Sequence, residues 1–327
     1  MGSDTATSSQ SVNKVLHDLA LSGFAGTVCR IPTHPLDTCK TVAFSSDVGR
    51  SSISHAANTI WKREGIRGFY RGLGITVTGA FPGNALYFVT YDWAKGKVTS
   101  LQDEGSSGEK SGSLLSWVPS PVLHLSCGFV AEIVSCAVWV PVDVIKERLQ
   151  AQGPEVAGRY TSSWNGLMTC MKTERLRGLY KGYFSTLASF GPFSAVYFAF
   201  YEVFDKLIAP MEFDPFTRGL IAAFLGNSCS AIVTNPLELI KTRLQIQAPS
   251  IYAASGGASE QVLYGYKYNS VWGGMKSIVK VHGVQGLWRG TMSRVMFTAP
   301  NAAMTMGCYR GLQGAFPYQG ATTSTAE

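Results

Sequence analysis

Three short stretches set a carboxylate two residues after a proline and an ammonium five residues after it. They are Pro35-Leu-Asp37-Thr-Cys-Lys40, Pro141-Val-Asp143-Val-Ile-Lys146 and Pro236-Leu-Glu238-Leu-Ile-Lys241. Acids and bases in equal number at equivalent positions do one kind of chemistry well: they pair, part and pair again. Exposed pairs are worth about 0–1 kcal/mol and exchange readily with water, which suits a gate that must open. Proline removes a backbone donor and kinks a helix. Three kinked helices related by threefold symmetry would converge here and turn the acids and bases toward a shared axis. Covalent chemistry has no comparable support. The chain shows no paired nucleophile and base, no metal cluster and no phosphate loop, so no enzymatic activity is expected. Its cysteines (Cys29, Cys39, Cys127, Cys136, Cys170, Cys229 and Cys308) lack the spacing of a zinc site or a disulfide framework.

Each proline stretch is followed by a second recurring block: Glu64-Gly-Ile-Arg-Gly-Phe-Tyr-Arg-Gly72, Glu174-Arg-Leu-Arg-Gly-Leu-Tyr-Lys-Gly182 and His282-Gly-Val-Gln-Gly-Leu-Trp-Arg-Gly290. A whole unit therefore repeats, and repetition governs the fold before any local feature does. Each unit reads as a long helix, a loop, a short amphipathic helix and a second long helix. These fall near 15–44, 51–64 and 73–97, then 121–150, 162–174 and 183–207, then 216–245, 269–282 and 291–313. The domains follow as a polar N-terminal tail (1–14), repeat one (15–100), a linker (101–120), repeat two (121–210), repeat three (211–313) and a C-terminal tail (314–327). The Ser/Gly-rich stretches Leu101–Ser113 and Ala248–Gln261 read as mobile loops.

At 327 residues the length alone would suggest two soluble domains, but 46% of the residues are hydrophobic and only 15% are charged. Uncharged runs at Leu73–Tyr91, Tyr183–Tyr201 and Gly219–Leu237 reach membrane-spanning length, and Val122–Val142 contains only Glu132 as a formal charge. Arg30, Asp37 and Arg294 interrupt the first and last long segments. Soluble amphipathic helices carry a charged face, which several of these lack. The predicted fold class is an all-α membrane protein with six transmembrane helices in three pseudo-threefold repeats. Small residues such as Gly23, Ala25, Gly128, Ala131, Ala222 and Gly226 would let the helices approach closely. The net charge of +7 is spread over loops and repeated blocks, which argues for an anionic lipid surface and against nucleic acid. Residues 1–13 fit neither a transit nor a secretory peptide, and Ala6 stands where a myristoylation site wants Ser or Thr.

The two repeated blocks resemble the signature of the mitochondrial carrier family, over roughly residues 15 to 313. The copies depart from it at Val42 and Phe44, where the family has a base and a Gln, at Arg175 for a Gly, and at His282 for an acid. The resemblance implies transport of a small molecule across the mitochondrial inner membrane, short helices on the matrix side, a monomer, and bound cardiolipin with no other cofactor. It implies a matrix gate of pairs Asp37–Lys146, Asp143–Lys241 and Glu238–Lys40, braced by Gln150 and Gln245 and left unbraced at Phe44. A cytosolic gate should close the opposite side. Tyr91-Asp92-Trp-Ala-Lys95 fits the family pattern, whereas Asp205 stands in a base position beside Glu202, and Arg310 in an acid position. The swapped signs predict a weakened gate, with Arg310 pairing with Asp205 or Glu202.

Helical phase picks out cavity residues independently. Offsets of seven and eleven residues return to nearly the same face, so counting back from the inward acids gives Arg30, Cys136 and Ala231, then Gly26, Glu132 and Asn227. Charges inside a membrane are costly and functional by default. On the second helices the resemblance places substrate contacts at Gly79 and Ala80, Ser189 and Phe190, Phe297 and Thr298. Arg294, Trp139 and Thr76 complete the inventory. Two cations and one anion suit a substrate with a carboxylate and a positive centre, and aromatic faces suit a cation or flat ring.

Among subfamilies, His34-Pro-Leu-Asp-Thr-Cys-Lys-Thr41, Gly79-Ala-Phe-Pro82 and Gly182-Tyr-Phe-Ser-Thr186 resemble the S-adenosylmethionine carriers, while Ala85-Leu-Tyr-Phe88 resembles the iron-carrying mitoferrins. The contact positions Ser189 and Phe190 match neither: the first group has Arg-Glu there, and Arg at Trp139; the second has Met-Asn. The expected substrate is S-adenosylmethionine or a related zwitterionic solute. The alternatives are iron and a non-transporting receptor or scaffold.

Overall fold

The computed structural model describes residues 3–45, 52–104, 120–152, 160–247 and 268–316. The first repeat comprises α1 (Ser3–Ser45), α2 (Ile53–Glu64), the short α3 (Ile66–Phe69) and α4 (Leu73–Glu104). The second comprises α5 (Ser120–Ala151), α6 (Ser163–Thr173), α7 (Arg175–Leu179) and α8 (Tyr183–Ile208). The third comprises α9 (Pro215–Val233), α10 (Asn235–Ile246), α11 (Val271–His282), a 3₁₀ turn (Val284–Trp288) and α12 (Thr291–Ala315). No strand occurs among the described residues.

The long helices form a closed ring: α1 packs on α4, α4 on α5, α5 on α8, α8 on α9, α9 on α12, and α12 back on α1. At one end α1, α5 and α10 also touch one another. The halves that carry the proline stretches therefore converge. By length and composition alone, Ser126–Ala151, Arg175–Met211 and Phe216–Val233 are apolar enough to cross a membrane. α1 is interrupted by the charges Arg30, Asp37 and Lys40, whereas the uncharged first part of α4 is diluted by Gly, Thr, Pro and Asn.

Proline acts differently in the three repeats. Pro35 and Pro141 lie inside continuous helices, whereas the third long helix breaks at Thr234. Kinks are expected at all three prolines; a full helix break occurs in one repeat. Pro236 then sits in the first turn of a new helix, where its missing N–H removes no bond. Asn235 fixes the break by donating its side-chain amide to the carbonyls of Leu287 (2.9 Å) and Arg289 (3.2 Å).

Three equivalent apolar clusters hold the short helices against the converging ends. Phe44, Leu239, Ile240 and Ile278 belong to the one under repeat three, Ile145, Leu149 and Leu179 to that of repeat two, and Cys39, Ala43, Ala56 and Ile60 to that of repeat one. Each buried Ile or Leu contributes about 1.5–3 kcal/mol, so the alanine-rich first cluster is the weakest of the three.

The second block folds into helical turns that its sequence did not announce. Their entry residues adopt positive φ: Gly65 at 62°, Gly283 at 70° and Arg175 at 56°. Arg175 is the residue that departs from the family's Gly, and it occupies the left-handed region at a cost of roughly 1–2 kcal/mol.

Two boundaries differ from expectation. Residues 3–14, taken as a tail, continue α1, and 101–104 extend α4 into the predicted linker. The remainder of the linker (105–119), the stretch 248–261 and the tail from 317 lie outside the described residues.

Candidate functional site

At the convergence, Lys40 Nζ lies 2.7 Å from Glu238, Lys146 Nζ 3.0 Å from Asp37, and Lys241 Nζ 3.2 Å from Asp143. Every pair joins two different repeats. Lys146 also lies 4.0 Å from Asp143, which links two of the pairs into one network. Side-chain exposure in these pairs ranges from 4% to 19%. They are therefore not the water-exchanging pairs read from the sequence. Buried pairs combine strong attraction with a desolvation penalty of several kcal/mol per ion, so water must enter before they part.

The bracing glutamines behave differently from expectation. Gln150 accepts from the Thr41 hydroxyl (2.8 Å) and donates to Thr38 (3.1 Å), both on α1, and reaches neither Asp37 nor Lys146. Gln245 is fully buried, its amide has no hydrogen-bond partner, and it packs against Gly182, where a Cβ would lie 2.9 Å from its Cγ. Phe44, at the equivalent position, packs the same way against Gly290, with a Cβ-to-ring distance of 2.6 Å. Both glycines adopt positive φ. These side chains fill the joint between repeats.

Arg148, two residues after Lys146, anchors that joint. Its guanidinium holds Glu174 through bonds of 2.8 and 3.0 Å and donates to the carbonyls of Gln245 (3.0 Å) and Gln247 (3.0 Å). Arg243 occupies the same place in repeat three and donates to the Phe44 carbonyl at 2.9 Å. Repeat one has Val42 instead. There Arg71 reaches Glu64 at 2.6 Å and also binds the Gln152 carbonyl. A base from the second block thus takes over the missing one.

Above the charged ring, Arg30 lies over the Trp139 ring at 5.1 Å. Trp139 in turn fills the space left by Gly83, where a Cβ would stand 2.7 Å from its Nε1. Glu132 accepts from the Cys136 thiol at 3.4 Å, and among the described residues it makes no ion pair with Arg30 or Arg294. Arg294 donates to the Ala231 carbonyl (3.1 Å), lies over the Phe193 ring at 5.5 Å, and has an unpartnered Nε. Ser189 Oγ, Asn227 Oδ1 and Thr298 Oγ1 are buried atoms without partners. Unsatisfied buried polar atoms are uncommon and call for a ligand or water.

Phe297 carries Lys40 over its ring at 5.7 Å and so borders the charged ring. Gly79 does not reach the cavity: a Cβ there would overlap Val142, so the residue serves the close packing of α4 on α5. Thr76 donates to the Gly72 carbonyl of its own helix.

The charge network expected at the opposite end also differs. Asp205 is bonded by Arg218, with Nε 2.7 Å from Oδ1, because a short connection folds α9 back beside the end of α8. Arg310 instead lies over the Phe216 ring at 5.5 Å. Asp92, Lys95 and Glu202 are exposed. The expected Arg310–Asp205 or Arg310–Glu202 pair is absent among the described residues.

A cavity of about 470 Å³ is lined by Tyr87, Tyr91, Gly128, Phe190, Phe193 and Tyr197, of which the sequence singled out Phe190 alone as a substrate contact. The further sequence signal is aromatic residues four apart on α4 and α8, which share a helix face.

Glu132→Gln removes the charge and nearly keeps the shape. The loss of a hydrogen bond to a charged group is worth about 1.5–3 kcal/mol, so affinity for a cationic substrate should fall at least about tenfold while the Tm holds. A large Tm loss with unchanged affinity would make Glu132 a structural residue.

A family model described as mitochondrial carrier protein matches residues 11–101, 118–212 and 213–320. The mitochondrial substrate carrier family protein E of Dictyostelium discoideum is 32% identical over 298 residues, covering 86% of this chain and 90% of its own. The S-adenosylmethionine mitochondrial carrier protein homolog of Drosophila melanogaster is 30% identical over 300 residues, covering 90% and 91%. The mitoferrin of Dictyostelium discoideum is 30% identical over 290 residues, covering 84% and 86%.

Proposed function

The chain belongs to the mitochondrial carrier family, and from that footing we propose that its substrate is S-adenosylmethionine or a closely related zwitterion. At the family level the function is plain. This is a multi-pass protein of the mitochondrial inner membrane that moves a small molecule and is not an enzyme. The finer reading rests on one observation: the cavity wall presents an acid without a cation, Glu132, and a cation with an open donor, Arg294 Nε. A ligand with a carboxylate and a sulfonium or ammonium would satisfy both. Arg30 or Arg294 would hold the carboxylate, Glu132 the positive centre, and Trp139 or Phe190 the flat part. Similarity to the Drosophila relative supports the same choice.

In this reading the three buried pairs form the matrix gate, and they hold it shut while substrate enters from the other side. Such opposed networks have no use in a receptor or scaffold. The Asp205–Arg218 pair takes one acid out of the cytosolic network, which supports a weaker cytosolic gate. The protein is proposed to work as a monomer with cardiolipin bound at its surface.

Iron is the second reading, favoured by similarity to a mitoferrin. Its ligands would have to come from Glu132, Asn227, Cys136 and His34. His34 Nε2 is engaged by the Arg71 carbonyl at 2.8 Å, and no group of three or more His, Cys, Asp or Glu side chains is placed for a metal among the described residues.

Proteoliposomes holding the purified chain should take up labelled S-adenosylmethionine, and excess unlabelled compound should compete. Uptake of ferrous iron that survives excess S-adenosylmethionine, with no uptake of the nucleoside itself, would reverse the order of the two readings.

A further inference from the structure

We infer that Glu147 keeps the shut matrix gate from holding too firmly, because the closed ring leaves one of its carboxyl oxygens buried and unbonded. The inference rests on the gate reading above and adds the group that favours opening. Glu147 directly follows Lys146, and the residues that follow Lys40 and Lys241 are Thr41 and Thr242. All three are buried. Thr41 satisfies its hydroxyl by donating to Gln150 at 2.8 Å. Repeat two places a carboxyl where the other repeats have this small hydroxyl.

The convergence of α1, α5 and α10 therefore encloses the acids Asp37, Asp143, Glu147 and Glu238 against the bases Lys40, Lys146 and Lys241. The three pairs use every base and leave Glu147 over. Lys146 and Asp143 act on it from its own helix, Lys241 from α10 and Lys40 from α1. Among the described residues none of these bases makes an ion pair with it. Its Oε1 accepts a long bond from the Thr242 hydroxyl at 3.4 Å, and its Oε2 has no partner among the described residues. Asp37 also has one unbonded oxygen, but its other oxygen holds Lys146 at 3.0 Å. Glu147 has no such compensation.

An unbonded buried oxygen penalises the shut state alone, since water reaches it once the helices part. The penalty sits one residue from Lys146, which touches the acids of two pairs. Three buried pairs by themselves would resist opening, because each must be rehydrated before it parts. A neighbouring group that gains a bond when water enters lowers that resistance. Glu147 is thus a positioning residue of the transport cycle: it sets the balance between the shut and the open convergence. An anchor of the fold would show the opposite, a carboxyl with both oxygens bonded, as Glu174 has in the grip of Arg148.

Removing the polar atoms exposes the effect, and amide hydrogen exchange reads opening without any substrate. Glu147→Met keeps the length of the side chain without its oxygens. Glu147→Thr installs the residue of the other two repeats. In either variant Thr242 can turn its hydroxyl to the Glu238 carbonyl four residues back, the bond that Thr38 makes to His34. Exchange in the purified full-length chain should slow about fivefold or more over 142–147 and 237–245, the scale of one buried unbonded group removed. It should stay unchanged over 201–208, at the other end of the bundle. The Tm should rise by about 2–4 °C, whereas loss of a merely structural residue would lower it. The two variants differ in volume, so a packing defect in one leaves the other decisive. Unchanged or faster exchange in both, or a lower Tm in both, overturns the proposal. Combined with Lys241→Asp, which already parts the ring, the gain from Glu147→Met should shrink. A gain of full size there overturns the link between Glu147 and the ring. The gate reading fails separately: wild-type uptake of labelled S-adenosylmethionine by Lys241→Asp removes it, while slower exchange in the Glu147 variants would still stand as a property of the convergence.

Discussion

Arg148→Met is expected to lower stability by about 3–5 kcal/mol, because breaking a buried ion pair from one side leaves the other charge uncompensated. Arg148 is fully buried, and Glu174, held at 2.8 Å, is nearly so. The variant also strands the carbonyl of Gln245 and leaves that of Gln247 to Lys181 alone, weakening the tie of α5 to α10. Proteins have only about 5–15 kcal/mol to lose, so the Tm of the solubilised chain should fall by on the order of 10 °C. Arg148→Lys should recover little, since one ammonium cannot reproduce a two-point grip on a carboxylate while also reaching two carbonyls. Arg148→Met combined with Glu174→Gln should recover part of the loss by removing the stranded charge. A Tm within experimental error of wild type for Arg148→Met alone would show that the pair is not a structural anchor.

The second expected result concerns the charged ring. Lys241→Asp sets a carboxylate beside Asp143, which now lies 3.2 Å from the Lys241 ammonium, and beside Glu238 three residues away. Like charges brought together in a buried site cost several kcal/mol. Even about 1.4 kcal/mol on a limiting step is tenfold in rate, so uptake should fall at least about tenfold. Adding Asp143→Lys restores a pair of reversed sign and should return part of the activity. Recovery should stay incomplete, because Lys146 lies 4.0 Å from the Asp143 carboxylate and would face the introduced ammonium. Equal loss in the single and double variants, with unchanged membrane insertion, would argue against a gating role for this pair.

The sequence by itself determined the repeat, the helical class and which residues share a helix face. Spacing within one helix fixes the face a side chain occupies, whatever the helix packs against. Asp37, Asp143 and Glu238 sit at one position of a thrice-written stretch, so symmetry placed each acid beside a base of another repeat. Glu132 followed from the same phase.

Tertiary structure decided everything that depends on the distance between helices. Gln150 and Gln245 share a sequence position, yet one bonds two threonines and the other is packed against a glycine of repeat two. Gly79 holds a position expected to touch substrate, but the close approach of α5 turns it into a packing contact with Val142. Arg310 and Asp205 have complementary charges, and a short connection delivered Arg218 to Asp205 instead. The aromatic cavity was hidden for the same reason: rings four apart mark a helix face, but only the neighbouring helices, with Gly128 between them, turn two such faces toward one space.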